Sequence, residues 1–516
     1  MKPKPSHKNN QEVSNSSQHL LILLLITVIG ASLRFYNLGN ESLWLDEGYS
    51  AYMAQYASIK NWSQDIHPPL YYALLAAWSW FSNSDYWLRL LSLIFGVATI
   101  PVVYSLGRQL FGPRAALWSV LMLAVLSLHI RYSQDARTYT LMTFLFACAL
   151  WSLVGIARGD NSWKRWLFYT ISSILLTYTH GVGIIYVAAL AVLFPLCTID
   201  VNKAANWRPW LLSHAAVGVL FLPWLGIYMA RSHEVTQHFW LTTPSWSDSL
   251  LVLSNLTVAS IPSLSEIIRQ HTDTIFLVNL PNWIWVLPIA VVLWQVIVKA
   301  GLDTDNIWKI RILVAAYALP IFIVFFISLT VKPIFLLRVF LPITIPVVLL
   351  LGSASVVDRK QSVFTKTALV LSVVILIVST FYHLRYAQKE QWREASLYLQ
   401  QSIAPSDVIL YNIPDLSGKY LVNRYDAIGT LQSVAQIDIA PEIKSCTRKN
   451  VDECLDQAIY NYQFNATFWI VSSHNQFMAD NLTISAWIKR NFVCQPLEMF
   501  NGVGIDQCKL ASKDNK

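Results

Sequence analysis

Leu43-Trp44-Leu45-Asp46-Glu47-Gly48-Tyr49, directly after the first apolar run, sets two adjacent carboxylates between aromatic residues that favour a membrane–water boundary. The rest of the chain decides what that placement means. Of 516 residues, 55% are hydrophobic and 13% charged, about half the charged share of an ordinary soluble domain. The chain carries 21 Trp, 23 Tyr and 23 Phe. This is the composition of a polytopic membrane protein with interfacial aromatics. A carboxylate pair at the edge of a bilayer is costly to place, which makes it a functional candidate.

Outward from that stretch, apolar runs alternate with short basic loops. The run 20–33 follows a polar leader, 1–19, that holds Lys2, Lys4 and Lys8. Read as an uncleaved first span, it leaves the basic leader in the cytoplasm and makes 37–85 a first outer loop. Within that loop, 68–81 falls short of the roughly 20 residues a span needs and opens with His67-Pro68-Pro69. It reads as a re-entrant or interfacial helix. Spans follow near 87–107, 115–130, 138–157, 166–180, 182–198 and 209–230. After a long outer loop, 231–281, with a half-length apolar stretch around 250–262, further spans fall near 282–299, 311–331, 336–356 and 366–384. Arg108, Arg114, Arg158, Lys164, Arg165, Lys203 and Arg208 then land inside, as the positive-inside rule asks.

The predicted fold is an α-helical polytopic membrane protein with about 11 transmembrane helices plus re-entrant or interfacial helices. Its transmembrane domain is 20–384, and a small extracytoplasmic α/β domain occupies 385–516. In that tail, 391–401 reads as an amphipathic helix, and 407–411 and 468–471 as buried strands. Cys446, Cys454, Cys494 and Cys508 cluster there, which suggests disulfides in an oxidising compartment. Nearest-neighbour pairing, Cys446 with Cys454 and Cys494 with Cys508, is favoured among the three connectivities that four cysteines allow. The net charge of +8 is not gathered into a basic stripe, so nucleic acid is not an expected partner. The chain has no repeat and no nucleotide-binding glycine motif.

Three clusters converge on the outer face in this topology: Asp46-Glu47 with Asp65 and His67; the stretch from Arg131 through Asp135 and Arg137 to Tyr139; and Lys332-Pro333 with Arg338. If 131–139 is helical, Arg131, Asp135 and Tyr139 share one side. Each cluster also has a structural reading. Acids favour the first turn of a helix, an Asp–Arg pair can close a helix end, and Lys and Arg snorkel at span ends. His67 before two prolines reads as structural more readily than as a metal ligand.

Trp44-Leu45-Asp46-Glu47, His67-Pro68-Pro69-Leu70-Tyr71-Tyr72, Tyr132-Ser133-Gln134-Asp135-Ala136-Arg137 and Lys332-Pro333 with Arg338 resemble the motifs of the C-type membrane glycosyltransferases. The nearest branch is the bacterial protein O-mannosyltransferase and aminoarabinose transferase-like group, and the resemblance covers roughly residues 20–356. It implies a cell-envelope enzyme of the plasma (inner) membrane that takes a polyprenyl-phosphate-linked hexose or pentose and transfers it to a lipid, glycan or protein acceptor. It also implies that the first-loop aspartate, here Asp46, is the catalytic carboxylate, with Glu47 beside it. Some relatives bind a metal, so a divalent metal is left open as cofactor. Ile66-His67-Pro68 stands where they carry an acid before the proline, and no metal ligand is assigned.

The chemistry fits those residue types. The leaving group is a phosphate monoester with a second pKa near 6, so it departs without a general acid. The reaction needs a base for the acceptor hydroxyl and positive charge on the developing phosphate. Asp46 supplies the first; Arg137, Lys332 and Arg338 supply the second, and Asp135 and His67 complete the donor-binding set. Attack opposite the phosphate inverts the anomeric centre. The competing classes are a lipid-linked-sugar transporter or flippase, which tends to keep its ionisable residues near mid-bilayer, and a non-catalytic assembly subunit.

Overall fold

The computed structural model describes residues 7–199, 207–236, 243–258, 282–300, 304–357, 363–386, 388–414, 416–439, 442, 451–462, 466–474 and 481–511. By length and composition, 7 helices among them can cross a membrane: Ser17–Phe35, Asp85–Phe111, Tyr139–Ala157, Trp207–Arg231, Ile307–Thr330, Leu337–Val356 and Val363–Tyr386. A bent pair brings the number to 8, and Leu70–Ser79, Gly183–Leu196 and Ile284–Lys299 are shorter apolar helices. Two spans form the centre of the bundle, Tyr139–Ala157 and Leu337–Val356, which are 89% and 94% buried. Ser17–Phe35 and Trp207–Arg231, at 17% and 22%, lie at the rim with apolar side chains facing outward, as lipid contact requires.

In chain order the elements that build the site are α1 (His7–Phe35), α2 (Leu45–Gln55), α3 (Ile59–Trp62), α4 (Leu70–Ser79), α5 (Asp85–Phe111), α6 (Pro113–Ala124), α7 (Ser127–Ser133) and α8 (Tyr139–Ala157). Helix α1 starts well before residue 20, where the sequence sets the first span. The 10-residue α4 lies where a non-crossing helix is expected and is shorter than a span. Its first amide, Leu70 N, donates to Tyr178 O at 3.0 Å. Trp246–Val258 occupies the half-length apolar stretch expected around 250–262; 237–242 and 259–281 lie outside the described residues.

Two expectations need correction. The span expected at 115–130 is broken: α6 and α7 meet at 61°. Backbone groups freed inside a membrane must find partners, and buried Arg34 of α1 provides them, donating to Ala124 O at 3.0 Å and Leu123 O at 3.2 Å. Nor is 131–139 one helix. Helix α7 stops at Ser133 and α8 starts at Tyr139, so Asp135-Ala136-Arg137 forms a turn, and Arg131, Asp135 and Tyr139 share no helical face.

The tail folds as a five-stranded sheet, β1 (Val408–Asn412), β2 (Ala435–Asp438), β3 (Phe468–Ser472), β4 (Phe492–Phe500) and β5 (Val503–Leu510), in the order β2-β1-β3-β5-β4. Strands β2, β1 and β3 are parallel, and β4–β5 is an antiparallel hairpin. The fully buried run Val408-Ile409-Leu410-Tyr411-Asn412 suits a central parallel strand. Cys494 and Cys508 are register partners in β4 and β5 and are joined by a disulfide. Cys454 is also disulfide-bonded, while Cys446 lies outside the described residues.

This domain sits on the first loop. Asp85, at the start of α5, takes Arg393 at 2.7 Å, Arg424 at 3.0 Å and the Tyr425 hydroxyl at 2.7 Å. Leu45 N donates to the Glu390 carboxylate at 2.9 Å. The β4–β5 turn, with Gly502 at φ +74°, ties down the linker through Gln391 N to Asn501 O at 2.9 Å. Helix α2 packs so closely on Ser417–Arg424 that a Cβ on Gly48 would come within 2.7 Å of Leu421 Cγ. Gly48→Ala is therefore expected to weaken this docking by about 1–3 kcal/mol, as overpacking does. The check is thermal unfolding and protease cleavage near 385–391, with Leu421→Ala restoring the loss in the double variant.

Candidate active site

Trp44 enters α2 extended, at φ −83° and ψ 171°, and has no side-chain oxygen to cap the helix. Glu47 does so instead, accepting Trp44 N at 3.3 Å. Neighbouring residues on a helix point about 100° apart, so the two carboxylates diverge.

Glu47 turns inward and is fully buried. Arg89 grips it with both arms, Nε to Oε1 at 2.8 Å and Nη2 to Oε2 at 2.7 Å. Ala136 N donates to Oε1 at 2.7 Å, and Lys389 Nζ lies 3.2 Å from Oε2. The remaining Arg89 N–H groups go to Leu38 O, Glu41 O and Ser42 O. Burial pushes the Glu47 carboxyl up, but Arg89, Lys389 and the Ala136 amide outweigh it and hold it at about 2. With every oxygen taken, Glu47 has no capacity for an acceptor proton. The expectation that it shares the chemistry with Asp46 is revised: it holds the loop, the α7–α8 turn and the linker together.

Asp46 faces the other way and keeps 27% of its side chain exposed. Arg338 Nη1 is 2.9 Å from Oδ2, and Arg137 Nη2 is 3.8 Å from the same oxygen. Arg137 Nη1 also donates to Asp46 O and Ser50 Oγ, each at 3.0 Å. The Arg338 guanidinium lies 5.9 Å from the Trp44 ring centre. Residues 292 positions apart thus meet at one carboxylate.

Of the other candidates, Asp135 pairs with Lys389 Nζ at 2.6 Å, so its partner comes from the linker, not from Arg131 or Arg137. The His67 ring lies 4.3 Å from that of His180. Burial, then Arg137, Arg338 and Lys332, lower His67 to about 3, so it meets a ligand as a neutral hydrogen-bonding group and adds no charge. Lys332 is buried beside this cluster, and burial lowers it to about 8. Among the described residues, His67 Nδ1 and Arg137 Nε are buried with no hydrogen-bond partner, groups that a water or a ligand would satisfy. Among the described residues no three His, Cys, Asp or Glu side chains gather to hold a metal. At Asp46 two guanidiniums take the positions a cation would need, so the donor set does not fit one.

Sequence reasoning missed Arg89, Ser50, Lys389 and Glu390. Arg89 had a signal, a charge inside an apolar run; the linker pair had none.

The family described as dolichyl-phosphate-mannose-protein mannosyltransferase matches residues 66–227. Among solved structures, the fold is similar to ArnT from Cupriavidus metallidurans bound to undecaprenyl phosphate, with a TM-score of 0.58 and 13% identity over 94% of this chain and 97% of that one. Both findings are likenesses: the chain is similar in part of its sequence, and in fold, to membrane glycosyltransferases of the GT-C type. A second GT-C likeness is to the oligosaccharyltransferase AglB from Archaeoglobus fulgidus, in complex with an inhibitory peptide and a dolichol-phosphate. Its TM-score is 0.52 and its identity 13%, over 97% of this chain and 75% of that one. No curated protein matches the chain. The 7 helices long and apolar enough to cross a membrane are those of an integral membrane protein.

Because folding lowers the Glu47 pKa, its pairing stabilises fully above the unfolded carboxylate value of about 4.3. That stability is lost as pH falls toward about 2. Glu47→Gln strands the buried Arg89 and is expected to cost about 3–5 kcal/mol at pH 7 and to flatten the acid dependence. Thermal unfolding of the solubilised protein between pH 7 and 2 measures both.

Proposed function

We propose that this protein is an inverting glycosyltransferase of the GT-C type, moving a sugar from a polyprenyl-phosphate donor to an acceptor hydroxyl on the outer face, with Asp46 as base. One observation carries the assignment. Of two adjacent carboxylates, Glu47 is sealed and saturated while Asp46 stays partly exposed between Arg338 and Arg137. The undecaprenyl phosphate held by ArnT supports the donor class. Gly183–Leu196, Ile284–Lys299 and Trp163–Thr177 complete about eleven crossings in this reading, with the sheet domain extracytoplasmic and the membrane the inner one.

The donor's isoprenoid tail lies in lipid, and its phosphate meets Lys332, Arg338 and Arg137. Arg338 already touches Asp46 Oδ2, so one guanidinium spans base and phosphate. Asp46 takes the acceptor's hydroxyl proton as that oxygen bonds to the anomeric carbon. The carbon–oxygen bond to phosphate breaks on the opposite side, its electron pair leaves with polyprenyl phosphate, and the anomeric centre inverts. The cations lower the cost of the charge that collects on the leaving phosphate. Glu47 and Arg89 react with nothing; they position the α7–α8 turn that carries Arg137.

Asp46→Asn is expected to lower turnover about 10²–10⁴-fold with donor binding and unfolding temperature nearly unchanged. Release of polyprenyl phosphate from a labelled donor reads this, and sustained turnover removes Asp46 from the role. Lys332, lowered to about 8, is a cation below that pH and loses its charge above it. Apparent donor affinity should therefore fall as pH rises through about 8, and Lys332→Arg should abolish the fall.

A further inference from the structure

A separate cavity of about 510 Å³ opens where several span ends meet the linker. Its wall includes Tyr36, just beyond α1; Arg131, near the end of α7; Arg385, at the end of Val363–Tyr386; and Lys389 of the linker. Trp44 closes one side, and Arg338 lies over the same indole. Asp46, Arg137, Lys332 and Arg338 do not line it.

The acids on this wall are occupied. Glu41 accepts Lys389 N, Asp135 takes Lys389 Nζ, and Glu390 accepts Leu45 N and Trp392 Nε1. The cations Arg89 and Lys389 are likewise spent on Glu47 and Asp135. Arg131 and Arg385 differ: both are exposed, and among the described residues neither has an ion pair. Arg131 lies over the ring of Tyr132 and Arg385 over that of Tyr386, and Arg131 also acts electrostatically on His383 of the same wall. Both sit on the face that carries the sheet domain, the face on which topology alone would not place arginines if that domain is outside.

We infer that this cavity binds a phosphate-bearing anion, with Arg131 and Arg385 as its ligands, at the depth of lipid headgroups. Guanidinium is the side chain best matched to phosphate, through paired N–H donors and charge together. Tyr36 and Trp44 supply interfacial aromatic wall for a lipid's glycerol region. The site lies one indole from the Asp46 cluster but shares no cation with it, and it stands whether or not transfer occurs as proposed.

The test uses the full chain in neutral detergent, with retained lipid counted by native mass spectrometry. One dioleoyl phosphatidylglycerol is expected to bind at least about tenfold tighter than dioleoyl phosphatidylcholine, given the attraction of two arginines. Arg131→Gln with Arg385→Gln should erase that preference at an unchanged unfolding temperature, and Arg131→Lys with Arg385→Lys should retain part of it. Millimolar inorganic phosphate distinguishes the sources. If it stabilises the wild type and not the Gln variant, with no lipid preference, the same site takes free phosphate. If neither phosphatidylglycerol nor phosphate separates wild type from the Gln variant, the inference is overturned.

Discussion

The buried ion pair between Glu47 and Arg89 is the contact on which the working face of this protein depends. Both groups are out of water, where an unpaired charge is prohibitive and a paired one is tolerated only with every remaining hydrogen bond made. Both are saturated: the arginine spends its other donors on three first-loop carbonyls, and the carboxylate takes a backbone amide and a lysine besides. One side chain from α2 thereby locks the first loop, the start of α5, the α7–α8 turn and the linker.

That lock explains how adjacent carboxylates acquire different fates. A helix rotates Asp46 away from Glu47, so the buried carboxylate that ties the loop does not compete with the one that stays partly exposed. Arg137 arrives beside Asp46 because Ala136, one residue earlier, is bonded to Glu47. The sheet domain contributes too. Its linker sends Lys389 to Glu47 and Asp135, and Glu390 to the first amide of α2. The tail is therefore part of the site's frame.

Irregular backbone in the bundle sits where partners exist to satisfy it. The break between α6 and α7 is met by Arg34, and the turn at 134–138 by Glu47 and by Gln134 O accepting Lys389 Nζ at 2.8 Å.

Much of this was legible before folding. Apolar run lengths located the 7 long apolar helices and proline positions the short α4, because hydrocarbon imposes a length rule on sequence directly. Local pattern likewise placed buried strands at 407–411 and 468–471, within a residue of where they form, and the motifs held Asp46, Arg137 and Arg338, which the fold brings together. What local pattern does not carry is who pairs with whom across hundreds of residues. That Glu47 goes to Arg89, Asp135 to Lys389, and Asp46 to Arg338 was decided by tertiary packing, since burial forces each charge onto whichever partner the fold brings within reach. The same packing bent 115–130 at 61° and unwound 134–138, where contacts from Arg34 and Glu47 outweighed helix continuity.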